Sequence, residues 1–155
     1  MAMHRTNIMA GAGLVLAAPV ALWGLMGRQD AEGFKPSELD YYMEPWRATE
    51  GWDTALGVAA LLVTAGCAFL LSRAGRRGAM DPRHWQVLLP LVAAGLIAAM
   101  GLRVLTAGVI GANIGAGLFL MTGPPLIAGL LLWALVQTVR HRLARRTNPA
   151  GPAAC

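Results

Sequence analysis

From Leu56 to Leu71 the chain reads Leu-Gly-Val-Ala-Ala-Leu-Leu-Val-Thr-Ala-Gly-Cys-Ala-Phe-Leu-Leu. A helix of this composition has no polar face. A soluble amphipathic helix returns to polar residues every third or fourth position, whereas here the only polar side chains are Thr64 and Cys67. Both are small enough to bond within their own helix or to sit against a neighbour. A hydrocarbon layer about 30 Å thick needs about 20 mostly apolar residues per helix, and extending the run to Gly51 and Ser72 supplies that length.

Three further stretches have the same character: 7–27, 85–107 and 114–137. The sequence therefore predicts an all-α integral membrane protein, an antiparallel bundle of four transmembrane helices in a single domain over 1–155. Small residues such as Gly57, Ala60, Gly95 and Ala99 are expected to pack the spans together. With 155 residues, 56% hydrophobic and 14% charged, and a mean hydropathy of +0.53, no length is left for a separate soluble domain.

The charges are sorted by side. Arg5, Arg73, Arg76, Arg77, Arg83, Arg140, Arg142, Arg145 and Arg146 flank alternate span ends, opposed only by Asp81. The segment 28–53 holds Asp30, Glu32, Glu38, Asp40, Glu44, Glu50 and Asp53 against Arg28, Lys35 and Arg47, seven carboxylates to three cations. Basic loops stay on the cytoplasmic side. The expected topology is a multi-pass protein with both termini, the loop 73–84 and the tail 138–155 in the cytoplasm, and the acidic loop 28–50 outside. Arginine used almost to the exclusion of lysine, with abundant Ala and Gly, suggests a bacterial chain and hence a bacterial plasma (inner) membrane. The net charge of +5 belongs to membrane ends, where anionic lipid headgroups are the nearer partner. No nucleic-acid partner is expected.

The first span is longer than the apolar core of a signal peptide and lacks a small-x-small site after it, so it is expected to be retained. Pro19 frees the carbonyl of Val15, and Trp23 reads as an interfacial anchor. In the outer loop Pro36 and Ser37 favour a short helix that Pro45 ends. Asp81 and Pro82 read as N-cap and first residue of the third span. Asp53 at the start of the second span reads as its cap. Cys67 and Cys155 are expected on opposite sides of the boundary between membrane and tail, with no disulfide.

Three groups of residues are candidates for function. The first is Arg103, about 27 Å from Trp85 along a helix and so near the far edge of the hydrocarbon. It is expected to reach outer headgroups or a carboxylate of the acidic loop, or else to form the fixed charge of an anion site. The second is Pro124 and Pro125, which remove two backbone donors and crowd the carbonyls of Leu120 and Met121. A kink or break is expected there, with Asn113 in the preceding turn. The spacing of Gly111 and Gly115 matches a close-packing motif but straddles that turn. The third is Tyr41, Tyr42, Glu44 and Trp46 in the outer loop, either a headgroup-level aromatic belt or a partner-docking surface.

Much chemistry is missing from the sequence. His4, His84 and His141 lie at span ends, no carboxylate lies deep in a span, and neither nucleophile elbows nor phosphate loops occur. No cofactor and no metal site are expected. The leading expectation is a non-enzymatic accessory or interaction subunit, its partners being the bilayer and other membrane subunits or copies of itself. The alternatives are a small oligomeric transporter or channel using Arg103 and the Pro124/Pro125 break, and an outer-leaflet enzyme using Asp40, Glu44 or Asp53.

Overall fold

Four helices, and no strand among the described residues, form the computed structural model, which describes residues 2–30, 39, 41–44, 51–78, 82–109 and 112–147. They are α1 (Ala2–Met26), α2 (Trp52–Arg76), α3 (Trp85–Leu105) and α4 (Ala112–Thr147). All four are long and apolar enough to cross a membrane. The expected short helix after Pro36, the cap Asp81, Gly111, Trp46, Asp40 and Cys155 lie outside the described residues.

Local sequence sets the helix ends. Gly27 (φ +64°) stops α1 and Gly51 (φ +84°) precedes α2, both in the left-handed region that side chains disfavour. A single 3-10 turn, Pro82–His84, leads into α3, so Pro82 opens a tighter turn and not the α-helix itself. Thr106 ends α3, its amide and hydroxyl both donating to the carbonyl of Leu102 at 3.1 Å and 2.8 Å. α4 differs most from expectation. It begins at Ala112, so Asn113 belongs to its first turn, and it continues past Gln137 to Thr147. The stretch 138–147 is rich in Arg and contains no Gly or Pro, so nothing stops it. The helix also runs unbroken through Pro124 and Pro125. Thr122 hydrogen-bonds back to Leu118 at 2.9 Å one turn before them, and Thr64 does the same to Ala60 at 2.8 Å in α2.

The helices pack in a row. Close approaches join α2 to α1, α1 to α3 and α3 to α4, and among the described residues no other helix pair approaches beyond an isolated point. Gly24 meets Gly57 and Gly13 faces Cys67 between α1 and α2, whereas Gly11 meets Leu88 and Pro19 meets Gly95 between α1 and α3. Between α3 and α4, Gly101 lies against Phe119 and Val104 against Gly115.

The seams are lined by the smallest side chains. Among the described residues, every buried hydrophobic residue apart from Leu71 is an alanine: Ala10, Ala18, Ala21, Ala60, Ala94, Ala99, Ala116 and Ala134. Large side chains such as Leu62, Phe69, Met121 and Trp133 point outward and are more than half exposed. That distribution inverts a water-soluble core. It is the arrangement expected when apolar surroundings remove the penalty for exposing leucine and helices attract through close backbone contact.

Candidate functional site

The ends of three helices converge on Arg103, which stands in the last turn of α3 and is only 4% exposed. Its Nε donates to the carbonyl of Trp23 at 2.7 Å, and its Nη2 donates to Asp53 Oδ2 at 3.2 Å. The guanidinium carbon lies 4.0 Å from the centre of the Trp23 ring. One side chain therefore joins the end of α1, the start of α2 and its own helix.

Each contact has a local cause. A helix leaves its last four carbonyls without intrahelical donors. The Gly27 amide, which would continue the ladder to Trp23, turns back instead to Gly24 at 3.3 Å. The Trp23 oxygen is thus an orphan acceptor at the negative end of the α1 dipole, and a cation is favoured there. Asp53 sits in the first turn of α2, where the dipole favours an anion. It makes no capping bond to its own helix, and Gly51 holds the N-cap position. The expected capping role is replaced by the ion pair with Arg103, in which the Asp53 side chain is 18% exposed. Trp23, half-buried near the end of α1, lies with its ring under the guanidinium.

Two glycines make the geometry reachable. A Cβ on Gly24 would stand 2.5 Å from the Gly57 Cα and 2.5 Å from the Asp53 carbonyl. A Cβ on Gly57 would stand 2.7 Å from the Leu25 amide nitrogen. Backbone thus lies against backbone, and α2 enters the site close enough for Asp53 to reach across α1 to α3.

The other candidates fall at different distances from this centre. Part of the 28–50 segment folds back onto the end of α3: the Met43 amide donates to the Leu105 carbonyl at 3.0 Å. Tyr41 is half-buried, its ring edge over Gly108, where an added Cβ would meet Tyr41 Cε1 at 2.5 Å and Asp30 Oδ1 at 2.9 Å. Tyr42 and Met43 are about half exposed, at 50% and 48%, and Glu44 is exposed. Pro124 and Pro125 are exposed and lie beyond the level at which α4 meets the Arg103 turn, which is that of Gly115 and Phe119. That offset is about five to ten residues, on the order of 10 Å along the helix. Arg103 and the diproline thus do not meet in one site. Only the backbone of Asn113 is described, in the first turn of α4.

The sequence gives Arg103 a partner of the right chemical type without singling out Asp53; it marks Gly57 for helix packing and Trp23 as an anchor without placing either at this site, and Gly24 goes unnoticed. The available signal was that a cation in an apolar span needs a counter-charge and filled acceptors. Asp53 is the one carboxylate within a helix among the described residues. Also among the described residues, no three His, Cys, Asp or Glu side chains gather as a metal site would need.

No family model, curated protein or solved structure matches the chain.

Proposed function

We propose that this chain is a non-enzymatic subunit of a bacterial inner membrane, an antiparallel four-span unit with both termini cytoplasmic, whose task is to present the 28–50 segment to a partner. The observation that carries this reading is the inward commitment of Arg103. The charge is spent on fastening helix ends through Asp53 and the Trp23 carbonyl, not on lining an open polar path. The platform so formed holds the loop through Met43 and Leu105, with Tyr42, Met43 and Glu44 directed to the surroundings. Exposed aromatic area beside carboxylates suits a partner with a basic, aromatic-binding face. Retention of α1 as part of the mature protein agrees with its place in the row, packed against both α2 and α3.

Two measurements test this. Single cysteines at positions 40 and 145, in a Cys67→Ser, Cys155→Ser background, are expected to label from opposite faces of sealed vesicles. Labelling from one face removes the topology. Purification of the native complex in mild detergent is expected to retain a partner or second copy that the triple variant Tyr41→Ala, Tyr42→Ala, Trp46→Ala loses. An isolated monomer unaffected by those changes removes the subunit reading.

A carrier or channel reading draws support from the same pair, because ionisable residues inside apolar spans often mark transport paths. It requires Arg103 to exchange Asp53 for an anionic substrate during the cycle. Arg103→Ala in a liposome flux assay decides it, and flux that is absent or unchanged removes it.

A further inference from the structure

At the other end of α1 and α3 from the Arg103 site, a half-open cleft of about 560 Å³ runs between the two helices, with Asn7 and His84 at one end and apolar walls beyond. Gly11 and Leu16 line it on α1 and Leu91 on α3. Its floor is Leu71 of α2, 1% exposed and the one large hydrophobic side chain fully buried among the described residues. We propose that this cleft binds one acyl chain of an anionic glycerophospholipid, with the lipid phosphate at the His84 and Asn7 end. The inference rests on the membrane-spanning reading of the four helices.

Shape and charge both favour that occupant. From Asn7 to Leu16 the cleft follows nine residues of α1, about 14 Å. That length and the apolar walls suit a single flexible chain. The polar end is set among cations in sequence, with Arg5 two residues before Asn7, Arg83 beside His84, and Arg73 two residues after Leu71, against Asp81 alone. The carboxylate of Asp53 is paired with Arg103, which holds the Trp23 carbonyl near the far end of α1, about 24 Å from Asn7. Moving an acyl chain from lipid into an apolar groove gains little, since both surroundings are hydrocarbon. Selectivity therefore comes from the headgroup, and the groove fixes where that headgroup sits.

Native mass spectrometry of the full-length chain tests the proposal, with titration of phosphatidylglycerol against phosphatidylcholine of identical chains. One phosphatidylglycerol is expected to be retained with a preference of about fivefold or more, the factor that one nearby basic group supplies. His84→Ala with Arg83→Gln is expected to bring the preference close to one. Ala12→Phe, at an exposed position on the cleft wall, is expected to abolish single-site retention of either lipid while leaving thermal stability unchanged. Equal retention of both lipids by the wild type, retention unaffected by Ala12→Phe, or a dimer that excludes the lipid would each overturn the proposal alone. A chain that stays folded and monodisperse in water without detergent overturns the membrane reading along with it.

Discussion

Arg103 illustrates how one residue becomes fixed by its neighbours. A guanidinium at 4% exposure is stable in apolar surroundings only when its charge and donors are matched. Here a carboxylate, a backbone carbonyl and an aromatic face provide the match. Removing one partner leaves the other buried and unpaired, at a cost of about 3 kcal/mol. Arg103→Met and Asp53→Leu are each expected to lower resistance to detergent-induced unfolding by that order. The double variant should recover much of the loss, giving a coupling of at least about 1 kcal/mol. Additive losses in the cycle remove the ion pair as a determinant. Arg103→Lys should fall between, because an ammonium lacks the fork that serves two acceptors at once. The need for such a partner was legible in the sequence, since a lone arginine in an apolar span demands one. Its identity was not, because Asp53 and Trp23 lie 50 and 80 positions away and only helix packing brings them near.

At the level of the elements, the four helices were legible from run length alone, because hydrocarbon tolerates nothing else over 20 or so apolar residues. Their order in the row was not. Alanine and glycine occur on every face, so no single stripe marks the seam, and the contact glycines are indistinguishable by composition from the others. Geometry separates them. Gly57→Ala places a Cβ 2.7 Å from backbone of α1, whereas Gly66 on the same helix has nothing within 4 Å. Gly57→Ala is therefore expected to destabilise by about 1 to 3 kcal/mol through forced separation of α1 and α2. Gly66→Ala should be neutral or stabilising by up to about 1 kcal/mol from helix propensity. Chemical or thermal unfolding of the two variants side by side checks the contrast, and equal behaviour would contradict the close crossing. The continuity of α4 through Pro124 and Pro125 was also hidden. Helix propensity ranks proline last, but membrane helices accommodate lost donors through neighbouring groups.

For the whole molecule, a row has weaker ends than a closed ring of helices. Among the described residues α4 packs chiefly against α3, and Phe119 lies at that seam between Gly101 and Gly123. Phe119→Ala should cost on the order of 3 kcal/mol of packing, concentrated at the α3 to α4 contact. Hydrogen exchange is expected to accelerate along α4 while α1 and α2 keep their protection; uniform acceleration would show instead that the helices unfold as one unit. The hydrogen bond from the Met43 amide to the Leu105 carbonyl has a mechanical consequence for this scaffold. The tether hands any pull on the acidic segment to the last turn of α3, two residues from the buried guanidinium. Force applied to that stretch therefore arrives at the side chain where three helix ends are knotted together.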